Sequence, residues 1–191
     1  MHVIATAGHV DHGKSTLLQA LTGSDPDRLD EEQRRGMSIE LGYCWTHLRG
    51  AGDVAFVDVP GHERFVSTML AGVGPVPAVL FVVAADDPWM PQAAEHLGAL
   101  DALGVGAAVV AVTRTDLADP GPAMARVRQQ IRATTLRGAP VVPVSARTGE
   151  GLPQLGQALS TMLTQLPTGH QRPISGCGLT GHSGSRVPGW S

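Results

Sequence analysis

Short, dense apolar runs along this chain take turns with stretches whose apolar positions recur every three or four residues. "HVIATA" (2–7) is the first dense run; a glycine-rich turn follows, then "KSTLLQALTG", a helical pattern that stops at Gly23. "DPDRLDEEQRRG" (25–36) is charged and poorly periodic, and reads as loop or frayed helix. "SIELGYCWTHL" (38–48) alternates as a strand does, and "DVAFVDV" (53–59) predicts another. "AVLFVVAA" (78–85), "AAVVAV" (107–112) and "PVVPV" (140–144) are wholly apolar, the pattern of strands covered on both faces. Between them "MPQAAEHLGALDALG", "GPAMARVRQQIRATTL" and "GLPQLGQALSTMLTQL" carry helical spacing. Strand and helix therefore alternate, which predicts an α/β fold: a doubly wound, mostly parallel sheet flanked by helices over residues 1–167. From 168 to 191 glycine, serine and proline replace the periodicity, and the expectation is a disordered tail.

Composition narrows the class without naming a function. At 191 residues and 42% hydrophobic content, one α/β domain can bury a sizeable core. A net charge of −3 leaves no broad basic field to draw the chain to nucleic acid or an anionic membrane. Two cysteines, Cys44 and Cys177, make no disulfide framework and have no metal-ligand spacing around them. The N-terminal stretch lacks the charged start of a signal peptide, and no apolar run approaches membrane-spanning length. A soluble, cytoplasmic protein is expected.

The chemistry lies in the loops after the strands. "GHVDHGKS" fits G-x-x-x-x-G-K-[ST] with Gly8, Gly13, Lys14 and Ser15, between a predicted strand and a predicted helix. The loop residues expected to face a nucleotide are Gly8, Val10, Asp11, His12, Gly13, Lys14, Ser15 and Thr16. Their amides and the helix N-terminus would cradle phosphate oxygens, with the Lys14 ammonium at the β- and γ-phosphates and the Ser15 hydroxyl on Mg²⁺. Of the fourteen Lys and Arg residues, Lys14 is the only lysine, which suggests a task that a wide guanidinium fork cannot do. "DVPGH" (58–62) supplies Asp58, in reach of Mg²⁺ through a water, and the Gly61 amide, able to sense a γ-phosphate. "RGMSIE" (35–40) offers Ser38 as a second hydroxyl ligand for the metal. "AVTRTD" (111–116) ends a buried strand with Asp116, placed to accept both N1–H and N2–H of guanine, and "VSA" (144–146) brings the Ser145–Ala146 backbone near the base. Each signal alone is weak, but five in this order with sensible spacing are specific.

"GHVDHGKST", "RRGMSIELGY", "DVPGHERF" and "VVAADD…MPQ…EH" resemble the translational GTPases, the group around elongation factor Tu. "RGMSIELGY", "PGHERFVSTMLAGVG" and the Thr-initial guanine motif are most similar to the bacterial selenocysteine-specific elongation factors. The resemblance covers about residues 1–166. It implies GTP and GDP as ligands, Mg²⁺ as cofactor, and GTP hydrolysis triggered by the ribosome. It also places His62 on the family's catalytic histidine, which positions the attacking water, and Val10 and Met37 on its hydrophobic gate. The full-length factors deliver selenocysteinyl-tRNA and bind an mRNA hairpin through further domains; a monomer without a membrane partner is expected. Another translational GTPase, a GTP-binding regulatory module with little hydrolysis, and an ATP-dependent P-loop kinase are the competing readings.

Two departures from the family pattern stand out. The guanine motif reads Thr113-Arg114-Thr115-Asp116 where the family usually has Lys second, so a guanidinium would stack on the base in place of a lysine stem. Ser38 stands where the family has Thr, keeping the hydroxyl and losing a methyl. Past "RPI" (172–174), which opens the family's second domain, the likeness stops. Shifted by one base, codons for "CGLTGHS" (177–183) permit Leu-Trp-Val-Asp-Arg-Ser-Phe, close to the family continuation. Residues 168–191 are thus expected to be a truncated or out-of-frame start of a second domain.

Overall fold

A computed structural model of the chain describes residues 1–24, 42–58, 78–87 and 89–166. The expectations for the loop 25–36, Met37, Ser38, Gly61, His62, Cys177 and the tail 168–191 lie outside these residues. The described elements run β1 (His2–Ala7), α1 (Lys14–Thr22), β2 (Gly42–Leu48), β3 (Gly52–Asp58), β4 (Ala78–Ala84), α2 (Pro91–Ala102), β5 (Ala108–Thr113), α3 (Pro120–Ile131), β6 (Val141–Pro143) and α4 (Leu152–Thr164).

Six strands form one sheet in the order β2-β3-β1-β4-β5-β6. The β2–β3 pair is antiparallel and the other four pairs are parallel. The apolar runs explain the centre of the sheet, since every residue of β4 and β5 is buried. Period-two geometry then divides β4 between two layers. Val79, Phe81 and Val83 face a layer with Leu97 and Leu100 of α2 and Val127 and Ile131 of α3. Leu80 and Val82 face the opposite layer, with Leu17 and Leu18 of α1 and Leu155 and Leu159 of α4. This is the doubly wound arrangement predicted from the alternation.

The edges differ from the centre for physical reasons. In β2, Gly42 and Cys44 point inward while Tyr43 and Trp45 are exposed, as alternation requires of an edge strand. Burial pushes the Cys44 thiol above its usual range and keeps it protonated. The run 140–144 was expected to be covered on both faces, but β6 is only three residues long, with Val141 and Val142 half-buried and Pro143 exposed. It is the other edge strand, where a proline without an amide hydrogen is tolerated.

Parallel pairing brings the C-terminal ends of β1, β3, β4 and β5 to one edge. Ala5 pairs with Val57, Ala7 with Phe81, and Ala84 with Thr113, so the loops after these strands converge there. In open sheets of this kind that crevice is where ligands bind.

Candidate nucleotide-binding site

The loop between β1 and α1 is shaped by close backbone approach. Gly8 has φ 139°, and a Cβ there would lie 2.2 Å from the Val82 carbonyl oxygen of β4. Only glycine lets β1 leave the sheet at this point. At the other end Gly13 is left-handed with φ 77°, and Asp11 also takes a left-handed φ of 64°. Helix α1 starts at Lys14, so its first amides open toward the loop as an anion-binding end.

Lys14 is 8% exposed, and its ammonium donates to the carbonyls of Gly8 at 3.1 Å and His9 at 2.8 Å. The stem therefore runs back inside the loop it belongs to, placing a compact charge where the phosphates are expected. Of the other loop residues predicted to face nucleotide, His12 is fully buried, Val10 is half-buried, and Asp11 and Thr16 are exposed.

Beside the loop, three oxygen-bearing side chains meet. Thr6 Oγ1 donates to Asp58 Oδ1 at 2.5 Å, and Ser15 Oγ donates to Asp58 Oδ2 at 2.8 Å. Asp58 and Thr6 are fully buried. A carboxylate and a hydroxyl from separate elements suit a hard cation such as Mg²⁺, which takes oxygen donors and keeps several waters. The predicted pair Ser15 and Asp58 is thus brought together. Among the described residues no cluster of three His, Cys, Asp or Glu forms a metal site of another kind.

At the far side lies the predicted base-recognition corner. Thr113, buried at the end of β5, donates through Oγ1 to the His12 carbonyl at 2.7 Å. Arg114 is left-handed with φ 59°; its Nη1 lies 3.2 Å from Asp86 Oδ2, and its Nη2 donates to the Asp11 carbonyl. Asp116 Oδ1 accepts from Ser145 Oγ at 2.7 Å, and this bond holds the carboxyl below its ordinary range. It stays ionised, as acceptance of two guanine N–H donors requires. Ser145 is itself fixed, since its amide donates to the Glu150 carbonyl at 2.9 Å, and the Thr148 amide donates to its hydroxyl at 3.2 Å. Ala146 follows, half-buried.

Thr6 went unread in the sequence, and Asp86 and His96 were read only within the motif "VVAADD…MPQ…EH", without their tasks in the site. Thr6 is a lone hydroxyl near the end of β1, and that polar interruption of an apolar strand was its only signal. His96 on α2 accepts the Gly8 amide hydrogen on Nδ1 at 3.2 Å, tying the phosphate loop to a helix 88 residues away. Asp86 partners Arg114 across 28 residues, and nothing in linear sequence predicts that.

Burial makes this corner acid-sensitive. His12 is fully buried, and desolvation lowers its pKa from 6.5 to about 4; the nearby His9 and Lys14 charges act in the same direction. His96 is shifted down as well, again first by burial. The unfolded chain takes up a proton on His12 near pH 6.5 and the folded chain only near 4, so stability is full above 6.5 and falls toward 4. Between pH 7 and 5 the loss from His12 is on the order of 2 kcal/mol, a fall in Tm of roughly 4–8 °C. Thermal melts across that range should show it, and His12→Gln should flatten the slope.

The decisive likeness covers the whole described domain. A family model described as the elongation factor Tu GTP binding domain matches residues 1–165. The chain belongs to this GTP-binding family. It is 46% identical over 156 residues to a selenocysteine-specific elongation factor of Desulfomicrobium baculatum, covering 80% of this chain and 25% of that protein. The crystal structure of a bacterial selenocysteine-specific elongation factor superposes with a TM-score of 0.80 at 34% identity, over 87% of this chain and 30% of that one. Translation elongation factor SelB from Methanococcus maripaludis, in complex with the GTP analogue GppNHp, superposes at 0.72 with 25% identity, over 87% of this chain and 34% of that one. The chain thus spans about a quarter to a third of the length of the proteins it matches. Among the described residues no helix is long and apolar enough to cross a membrane.

Proposed function

We propose that this chain is the GTP-binding and GTP-hydrolysing domain of a selenocysteine-specific elongation factor, which delivers selenocysteinyl-tRNA to the ribosome. The geometric observation that supports the GTP-binding part of this reading is the Thr113–His12 bond at 2.7 Å. It joins the loop that bears Lys14 to the loop that bears Asp116, so a phosphate cradle and a guanine acceptor form one continuous site.

Each residue then has a chemical task. Lys14 and the loop amides neutralise the β- and γ-phosphate oxygens, where charge grows as the terminal phosphoryl group leaves. Ser15 and Asp58, with Ser38, would hold Mg²⁺, which when bound neutralises charge on the same oxygens. Thr6 orients the Asp58 carboxylate, holding its oxygens in place. Asp116, oriented by the Ser145 hydroxyl, selects guanine, and the Ser145–Ala146 backbone borders the base. The Gly61 amide would register the γ-phosphate. His62, by resemblance to the family, orients the attacking water once the ribosome presses it inward, so turnover without ribosomes is slow. By the family resemblance, contacts to tRNA and to an mRNA hairpin would fall to parts of a full-length factor outside its GTP-binding domain.

Phosphate release from GTP with and without intact ribosomes tests the assignment. Release should be slow alone and stimulated by ribosomes, and His62→Ala should remove that stimulation by at least about a hundredfold while leaving GDP affinity within a factor of three or so. Absence of stimulation would favour a GTP-binding regulatory module. Tighter binding of ATP than of GTP would instead place the chain among adenine-specific P-loop enzymes.

A further inference from the structure

Arg114 is anchored by two different elements at once. Its backbone sits in the left-handed region, φ 59°, immediately after β5, which aims the side chain across the mouth of the site. One branch of the guanidinium donates to the Asp11 carbonyl of the phosphate loop. The other meets the Asp86 carboxylate just past β4, at 3.2 Å to Oδ2 and 3.4 Å to Oδ1. The two side chains are 34% and 28% exposed, so the pair is partly withdrawn from water. Thr113 next to it bonds the His12 carbonyl. Two successive residues of the base-recognition loop therefore grip two successive carbonyls of the phosphate loop.

From this geometry we infer that Asp86 is a positioning residue for nucleotide binding, acting through Arg114. The inference rests on the guanine-nucleotide reading of the site given above. A lysine ammonium at position 114 is a single point donor, whereas the guanidinium fork serves a carboxylate and a carbonyl together. With both branches held, the aliphatic stem of Arg114 has little rotational freedom left. That stem belongs to the same loop as Asp116, two residues on, so a base bound to Asp116 meets a wall fixed in advance. Pre-organisation of this kind raises affinity by lowering the ordering cost of binding. Asp86 touches no nucleotide in this account; it sets where Arg114 lies.

A double-mutant cycle on the 191-residue chain tests this, with GDP as the probe and calorimetric titration as the readout. Asp86→Asn should weaken GDP binding about fivefold, and Asp86→Glu should restore most of it. In an Arg114→Ala background Asp86→Asn should change the affinity by less than about 1.5-fold. The deficit of Asp86→Asn should shrink as KCl rises from low to high concentration, because the contact is an ion pair. A purely structural role for Asp86 would not produce that coupling or that salt dependence. Unchanged GDP affinity in Asp86→Asn, with the wild type binding normally, overturns the inference alone. Equal losses with and without Arg114 also overturn it. Failure of the wild type to bind GDP removes the functional reading, and this inference with it.

Discussion

Lys14→Arg is expected to weaken GDP and GTP binding by about a hundredfold or more, a loss of roughly 3 kcal/mol. Lys14 is 8% exposed and threads back through its own loop to the Gly8 and His9 carbonyls. The loop cannot widen to take a planar guanidinium, because Gly8 is already pressed against the Val82 carbonyl of the central strand β4. An arginine would have to swing out of the cradle or force the loop open, and either removes the point charge from the phosphates. Arg114→Lys should cost only several-fold, since a lysine stem can still line the base and only the Asp86 clamp is lost. Fluorescent-nucleotide titration of both variants checks the ranking. Comparable, mild effects would show that the lone lysine has no geometric necessity.

Gly8→Ala should be at least as damaging, through the fold of the loop itself. The added methyl would stand 2.2 Å from the Val82 oxygen, a backbone atom locked in the sheet, at a φ of 139° that side chains rarely adopt. Relief requires β1 and β4 to separate or the loop to leave its course, and either costs upwards of about 3 kcal/mol. Gly13→Ala is the control. Its Cβ would meet no heavy atom within 4 Å, so only the left-handed φ of 77° is penalised, by about 1 kcal/mol. A thermal melt should show a large drop in Tm for the first substitution and a small one for the second, with nucleotide binding lost in the first. Similar melting temperatures for the two would refute the close-approach account.

The centre of this fold was readable because its signal is continuous. Runs such as "AVLFVVAA" have no polar position to spare, so they can only be strands sheathed on both sides, and β4 is. The "PVVPV" run carries the same signal but ends as a short edge strand. What decides that is its place last in the sheet order, a tertiary fact absent from composition. In the site, Lys14 and Ser15 were legible from the spacing of the phosphate loop, and Asp58 from the "DVPGH" motif at the end of an apolar run. Arg114 was legible as a departure from the family, but its task was not. Its partners Asp86 and Asp11 lie 28 and 103 residues away, and only the strand order brings them together. His96 was visible as part of a motif, yet its bond to the Gly8 amide depends on how α2 packs, which periodicity does not report.

The sheet order has a consequence for how the domain comes into being on the ribosome that makes it. β1 precedes its partners β3 and β4, so it gains its first neighbour only with residues 52–58 and its second only with residues 78–84. The phosphate loop inherits that delay, because the carbonyl that shapes Gly8 belongs to Val82. Until then a nascent chain carries the whole GHVDHGKS motif without the Val82 carbonyl that Gly8 packs against. Contacts between such distant segments are slow to close. The nucleotide site should therefore appear late and abruptly during elongation, and a GTP analogue added to stalled nascent chains should find nothing to bind before β4 has cleared the exit tunnel.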